Sequence, residues 1–150
     1  MASQRSVLFV CIHNSARSQM AEAFLRQMGG DAFTVESAGL EPGRINPLVV
    51  EAMQQVGIDL SSAGTQSVFD LFKAGRLFTY VISVCDGAAA EKCPVFPGIA
   101  KRLNWEFEDP SSFQGSHEER LEQTIRVRDK IRARVAEFIA TEAGSAVLGR

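Results

Sequence analysis

Apolar runs along this chain alternate with segments in which apolar residues recur every three or four positions. The runs predict four strands. These strands are expected over Arg5 to Val10, Phe33 to Ser37, Phe78 to Val84 and Lys101 to Trp105. The first run is apolar at nearly every position, which is typical of a strand buried on both faces of a parallel sheet.

Helical signals fill the segments between and after these runs. Helices are predicted from about Ser18 to Met28, from the Asn46 cap to Gly57, over one or two turns at Ser67 to Leu71, and from Ser116 to about Ile139. Asn-Pro and Ser-x-x-Glu are strong helix-start signals, because the first side chain accepts from N–H groups that the helix leaves unpaired. The chain from Gly144 onward is expected to fray.

Strands that alternate with helices at this spacing predict an α/β fold with a parallel sheet. We expect a single-domain, open, four-stranded parallel sheet with helices on both faces. The domain spans residues 1–150, with about 142–150 as a frayed tail. Functional sites of such sheets lie at the carboxyl ends of the strands. Two predicted strands end in cysteine, so Cys11 and Cys85 are expected at the same edge of the sheet.

Composition narrows the possible partners. A chain of 150 residues with a net charge of −2 is not expected to attract nucleic acid or an anionic membrane. No apolar run is long enough to span a membrane. The first strand begins almost at once, which leaves no room for a signal peptide, so a cytoplasmic location is expected.

The three cysteines favour chemistry over structural bridging. An odd number of cysteines in a reducing compartment argues against a structural disulfide. The close cysteine pairs of zinc sites are missing, so no metal site is predicted. Redox or nucleophilic use is the stronger interpretation.

The segment from Cys11 to Ser18 carries the strongest chemical signal. Cys11 ends a buried strand, and the loop Ile12, His13, Asn14, Ser15, Ala16, Arg17 and Ser18 runs into a helix. N–H groups and the helix dipole at such a place bind an oxyanion and stabilise a thiolate. Arg17 adds a fork of donors suited to a tetrahedral oxyanion. The alternative is a buried cysteine beside a surface arginine. His13 is expected to be solvated or packed.

A second cysteine pair follows the third strand. Cys85 and Cys93 flank a small-residue stretch that either bends or forms a helical turn, and a disulfide between them requires this stretch to rearrange. Cys93 lies in a polar segment where a packing hydrophobe is not needed. The alternative is two unrelated buried cysteines.

Asp109 precedes Pro110, which holds it in an extended conformation on a loop. This presents its carboxylate near the end of the fourth strand. A plain turn is the alternative interpretation. Glu106 and Glu108 are expected to be solvated.

The pattern Cys-x-x-Asn-Ser-x-Arg-Ser-Gln-Met-Ala-Glu, from Cys11 to Glu22, resembles the low-molecular-weight protein tyrosine phosphatase superfamily, and most of all its arsenate reductases. The segment from Val81 through Cys93 to Gly98 is similar to the redox segment of the thioredoxin-coupled members. The resemblance covers Val7 to about Phe138. It implies a low-molecular-weight phosphatase fold with flavodoxin-like winding.

The resemblance also implies a mechanism. Cys11 attacks arsenate held by the loop and Arg17, Asp109 acts as general acid, and a disulfide passes from Cys11–Cys85 to Cys85–Cys93. Thioredoxin or a similar dithiol protein is the implied reductant, no cofactor is needed, and a monomer is expected. Some relatives bind potassium near the first loop, where Asn14, Glu22 and Ser37 are candidate ligands.

Two other functions remain open at this point. A low-molecular-weight tyrosine phosphatase would use Cys11, Arg17 and Asp109 but not Cys85 and Cys93. Such a phosphatase would also require aromatic residues around a deep pocket. A non-catalytic oxyanion-binding module would need no nucleophile at all.

Overall fold

A computed structural model of the chain describes residues 5–85, 91–98 and 100–148, with side chains to residue 142. The strands are β1 (Arg5–Cys11), β2 (Phe33–Gly39), β3 (Tyr80–Ser83) and β4 (Lys101–Asn104). The helices are α1 (Arg17–Gly29), α2 (Pro47–Gln54), α3 (Val68–Lys73) and α4 (His117–Leu148). Short 3₁₀ turns cover Gly30–Ala32 and Pro110–Ser112.

The four strands form one parallel sheet in the order β2-β1-β3-β4. This confirms the predicted sheet, and the order is that of flavodoxin-like winding. Cys11 pairs with Gly39 at the end of β1, and the Val84 N–H donates to the Val10 carbonyl at 2.8 Å. Cys11 and Cys85 therefore lie at the same edge of the sheet, as predicted.

Side chains of β1 alternate between two apolar clusters, one on each face of the sheet. Val7, Phe9 and Cys11 join the first cluster, against α1, α2 and α4. Leu8 and Val10 join the second, against α3. The helices therefore cover both faces, and the loop that follows Cys11 emerges between them.

The predicted helix caps are present. The Leu48 N–H donates to Asn46 Oδ1 at 2.9 Å, and Gly57 ends the following turn with φ of 80°. Ser116 and Glu119 form the reciprocal capping box, with both N–H···O distances 3.1 Å. These hydrogen bonds hold the Glu119 pKa below its usual value.

Helix α4 is longer than its sequence pattern predicts. It continues to Leu148, although the apolar stripe predicted an end near Ile139. The reason is a polar contact at Glu142: its carbonyl accepts from Arg5 at 2.9 Å, and its carboxylate accepts from the Tyr80 hydroxyl. Fraying of the last residues stays a prediction. Among the described residues, no helix is long and apolar enough to cross a membrane.

Candidate active site

Cys11 is the last residue of β1, and the loop of residues 12–16 turns around its sulfur before α1 begins. The loop carbonyls are turned outward and bonded to the segment after β2. Four backbone N–H groups donate to these carbonyls at 2.7–3.1 Å: Leu40 to Cys11, Glu41 to Ile12, Gly43 to His13 and Asn46 to Ser15. In a trans peptide the N–H points opposite to its carbonyl, so this anchoring turns the loop N–H groups inward. Helix α1 has no side-chain N-cap, which leaves its first N–H groups available to an anion.

Gly39 makes this close packing possible. A Cβ atom added there would lie 2.8 Å from the Asn14 nitrogen and 2.8 Å from the Ile12 oxygen. Both are backbone atoms, which cannot swing away as a side chain can. Glycine at this position is therefore a requirement of the loop's path.

The Cys11 sulfur is held by two polar partners. It lies 2.9 Å from Ser18 Oγ, and the Asn14 N–H donates to it at 3.2 Å. Ser18 Oγ already accepts from Asn14 Nδ2 at 2.9 Å, so its own proton is available for the sulfur. Cys11 is only 2% exposed. The Asn14 N–H is a donor and the Ser18 hydroxyl can also donate, so both can hold the sulfur in position for attack.

Asn14 organises the loop from within. It has φ of 54°, the left-handed conformation that asparagine tolerates better than most residues. Its Nδ2 also donates to Ser37 Oγ at 2.9 Å, and its Oδ1 accepts from the Gln66 N–H at 3.1 Å. Gln19 Nε2 bonds the Asn14 carbonyl at 3.0 Å. A fully bonded, 1% exposed side chain fixes the loop before any ligand arrives.

Arg17 lies at the start of α1 and is 6% exposed. Its Nη1 donates to the Phe107 carbonyl at 3.1 Å, and its Nη2 lies 3.6 Å from Asp109 Oδ2. Its buried Nε–H has no hydrogen-bond partner among the described residues. A buried unpaired donor on a cation is costly, and an oxyanion within the loop would satisfy it.

Asp109 is presented as the sequence predicts, directly before the 3₁₀ turn at Pro110–Ser112. Its Oδ1 accepts from the Ser111 N–H at 3.0 Å and from the Ser111 hydroxyl at 2.8 Å. These bonds fix one oxygen and leave Oδ2 on the side of Arg17. The carboxyl group is one-third exposed, so it can exchange a proton with solvent.

His13 is exposed, and its Nδ1 donates to the Glu41 carbonyl at 2.9 Å. Its ring is therefore committed to holding the loop against the segment after β2. This fits the predicted solvated role and gives it no part in activating the thiol.

The other two cysteines lie on opposite faces of the sheet. Cys85 is fully buried in the same apolar cluster as Cys11. Cys93 is 5% exposed and packs in the cluster on the other face, with Phe78 and Phe96. Burial raises the pKa of the Cys93 thiol, and the positive charge of Arg102 opposes that rise. The expectation that no packing hydrophobe is needed at Cys93 is therefore wrong, because Cys93 belongs to this buried apolar cluster.

None of the three cysteines is in a disulfide. The prediction for the conformation of 86–92 falls mainly on residues 86–90, outside the described residues.

The three candidate potassium ligands are bonded to one another. Asn14 donates to Ser37, Ser37 Oγ donates to Glu22 Oε1 at 2.5 Å, and Arg26 donates to Glu22 Oε2 at 2.6 Å. Their oxygens already accept hydrogen bonds, and Arg26 balances the charge of Glu22. This set does not fit a potassium ion. Within the described ranges, no cluster of three or more His, Cys, Asp or Glu residues could hold a metal.

The sequence interpretation missed three contributors to the site: Gly39, Gln19 and Gln66. Gly39 and Gln66 contact the loop from distant segments, and Gln19 contacts it from the first turn of α1. Gln19 bridges the Asn14 and Gly64 carbonyls, and Gln66 Nε2 donates to the Ser37 carbonyl at 2.9 Å. The glycine at the end of β2 was the available signal, since a glycine in a strand often marks a close backbone approach.

Comparison with known proteins places this geometry in a family. The family model of low molecular weight phosphotyrosine protein phosphatases matches residues 6–145. The arsenate reductase of Bacillus subtilis is 43% identical over 136 residues, 90% of this chain and 95% of the relative. The arsenate reductase of Shouchella clausii is 41% identical over 140 residues, covering 93% and 98% of the two chains.

Solved structures agree with these relatives. An arsenate reductase in the oxidized state superposes with a TM-score of 0.77 at 31% identity, covering 92% of this chain and 98% of the other. A thioredoxin-dependent arsenate reductase of Corynebacterium glutamicum gives a TM-score of 0.70 at 29% identity, over 96% of this chain and 64% of the other. The tyrosine phosphatase of Erwinia amylovora, 18% identical with a TM-score of 0.75 over 93% and 94% of the two chains, shares the fold. The chain belongs to the low molecular weight phosphotyrosine protein phosphatase family, in the part of it that contains these arsenate reductases.

Proposed function

We propose that the protein is an arsenate reductase that converts arsenate to arsenite. One observation carries the proposal: Cys85 is buried in the same cluster as Cys11, at the adjacent strand end. A phosphatase completes its cycle with water and has no use for a second thiol there. A reductase needs two electrons, and two thiols supply them together when they form a disulfide.

In the first step the Cys11 thiolate attacks the arsenic atom, while the loop N–H groups and Arg17 hold the oxyanion. An As–S bond forms and an oxygen leaves. Asp109 gives that oxygen its proton, so that water departs. The 3.6 Å approach of Asp109 Oδ2 to Arg17 supports this role, because Arg17 is the side chain proposed to hold the oxyanion.

In the second step the Cys85 thiolate attacks Cys11 Sγ. An S–S bond forms, the As–S bond breaks, and its electron pair stays on arsenic, which leaves as arsenite. The Cys93 thiolate then attacks Cys85, which releases Cys11 and leaves a Cys85–Cys93 disulfide. Because Cys93 packs on the other face of the sheet, this last step requires the chain around Cys93 to move.

A dithiol protein of the thioredoxin type is proposed as the reductant. Its two thiols reduce Cys85–Cys93 through a mixed disulfide and become a disulfide themselves. The thioredoxin-dependent Corynebacterium relative supports this partner. A cytoplasmic, monomeric protein without cofactor completes the proposal.

A phosphatase is the second candidate, because phosphate and arsenate share shape and charge. It would use Cys11, Arg17 and Asp109 in the same way, but it would have no use for the Cys85 thiol that is buried in the same cluster as Cys11.

The test is to count thiols and locate disulfides after arsenate is added without reductant. Wild type should lose two thiols and release one arsenite per chain, with the disulfide at Cys85–Cys93. Cys93→Ser should release one arsenite and stop with a Cys11–Cys85 disulfide, and Cys85→Ser should release none. Mass spectrometry of a proteolytic digest separates these products. Wild type that keeps all its thiols would contradict the proposal, and Cys11→Ser is the inactive control.

A further inference from the structure

The exposed apolar side chains of this protein are gathered in one place. The large hydrophobic residues that are exposed in the described part of the chain are Phe69, Phe72, Leu77 and Val95, between 39% and 69% accessible. We call these four residues the α3 patch. Scattered exposed hydrophobics are ordinary in soluble proteins, whereas a cluster marks an interaction site.

Contacts to one buried ring show that the α3 patch is continuous. Phe72 packs edge-on against Phe96, with ring centroids 5.8 Å apart, and Val95 precedes Phe96 in the chain. Phe69 lies one turn before Phe72 on α3. Leu77 Cδ2 lies 3.4 Å from the position of a Cβ added at Gly98. Val95 therefore lies in the segment 93–98, Phe72 and Leu77 lie against it, and Phe69 adjoins Phe72 on α3.

The patch borders the segment that carries Cys93. Phe96 is 4% exposed and belongs to the same buried cluster as Cys93. Val95 is two residues away from the cysteine and 69% exposed. A molecule seated on the patch would contact the segment that carries this thiol.

The charges around the patch differ from those of the whole molecule. The charged residues described in segments 69–76 and 91–102 are five basic and two acidic: Asp70, Lys73, Arg76, Glu91, Lys92, Lys101 and Arg102. The whole chain has a net charge of −2. Arg76 is paired with Glu36, while Lys73, Lys92, Lys101 and Arg102 have no ion pair among the described residues. An apolar centre with a basic rim fits a partner that has an apolar contact surface and acidic neighbours.

We propose that the α3 patch, with its basic rim, is the docking surface for the dithiol protein that reduces Cys85–Cys93. The inference rests on the proposed function, since that function creates a disulfide at Cys93. The partner's nucleophilic thiolate attacks Cys93 Sγ, and Cys85 leaves as a thiolate. The partner's second thiolate then attacks its own mixed-disulfide sulfur and releases Cys93. Two electrons and two protons pass from the partner's thiols to the two cysteines.

The variants Leu77→Glu and Val95→Glu, singly and together, test the surface. Both side chains are mostly exposed, so the fold should survive, and thermal unfolding checks this. The control is the double variant Ala133→Glu/Ala136→Glu, which adds the same charge on the exposed side of α4, away from the patch. Turnover is measured with thioredoxin, its reductase and NADPH at increasing thioredoxin, and again with dithiothreitol alone.

We expect the double patch variant to raise KM for thioredoxin at least about tenfold, the loss typical of a removed interface anchor. Turnover with dithiothreitol should match wild type, because a small dithiol needs no docking surface. Lys92→Glu/Arg102→Glu should also raise KM and weaken its dependence on salt. Ala133→Glu/Ala136→Glu should behave as wild type in both assays.

Several outcomes would overturn the docking proposal. One is an unchanged thioredoxin KM in the double patch variant. Others are patch-dependent dimerisation in sedimentation, or patch-dependent binding to vesicles that contain phosphatidylglycerol. The release of one arsenite per chain without reductant distinguishes failure of the docking proposal from failure of the proposed function. If wild type and the patch variants release it equally, the function stands whatever the thioredoxin result.

Discussion

At the scale of single residues, Arg17 has contacts that a point charge cannot reproduce. Its Nη1 donates to the Phe107 carbonyl, and its Nη2 lies 3.6 Å from Asp109 Oδ2. Its buried Nε–H has no hydrogen-bond partner among the described residues. Arg17→Lys keeps the charge and loses the planar fork, so kcat/KM for arsenate should fall by about 10²–10³. Steady-state kinetics check this, with Arg26→Lys as the control on an exposed part of the same helix. Near-wild-type activity in Arg17→Lys would show that charge alone binds the oxyanion.

Asp109 is expected to act on the rate and not on binding. Asp109→Asn keeps the bond to the Ser111 N–H and loses the proton donor, so the first chemical step should slow by about 10²–10⁴. Single-turnover mixing with arsenate measures that step, and competition by phosphate measures binding. Glu108→Gln, at the neighbouring exposed carboxylate, is the matched control. Weaker phosphate binding with an unchanged rate would give Asp109 a positioning role instead.

At the scale of elements, the parts that the sequence predicts are those with local causes. The caps at Asn46 and Ser116 and the order of strands and helices follow from short-range patterns, and the structure has them. Cys11, Arg17 and Asp109 come together because a parallel sheet brings strand ends to one edge.

The features that could not be predicted depend on contacts between distant segments. The bonds that extend α4 past Ile139 leave no trace in the neighbouring sequence, and the burial of Cys93 depends in part on the distant Leu8, Val10 and Phe78. The extension depends on Arg5 and Tyr80, which lie 137 and 62 positions from Glu142.

The contact between β2 and the loop gives a prediction at this scale. Gly39→Ala places a Cβ within 2.8 Å of two loop backbone atoms, so the loop must shift. We expect a loss of about 1–3 kcal/mol in the free energy of unfolding and at least a tenfold fall in kcat/KM. Gly64→Ala is the control, because an added Cβ there meets nothing within 4 Å. Chemical denaturation measures the free energy of unfolding, and steady-state assays measure kcat/KM. If Gly39→Ala leaves both unchanged, the loop can shift to accommodate the added Cβ without cost.

At the scale of the whole molecule, the two ends of the sheet have different roles. The carboxyl ends of β1 and β3 carry the cysteines, while Tyr80 begins β3 at the opposite end and ties it to α4 through Glu142. Burial, reinforced by the Glu142 carboxylate, raises the pKa of Tyr80 to about 12. The contact that stabilises α4 and the cysteines proposed for catalysis therefore lie at opposite ends of the strands.

The anchor at Tyr80 predicts how stability depends on alkaline pH. The folded pKa of about 12 lies above the ordinary tyrosine pKa of 10.0, so the folded state keeps a proton that the unfolded state has lost between these values. The stabilisation is complete below pH 10 and is lost as pH rises towards 12.

Urea unfolding across this range should show a fall in the free energy of unfolding that Tyr80→Phe lacks. The chain has one tyrosine, so tyrosinate absorbance reports this group alone. Glu142→Gln should lower the midpoint only in part, because burial is the larger cause of the shift. A wild-type midpoint near 10 would mean that the hydroxyl is solvated and that it does not hold α4 at this end.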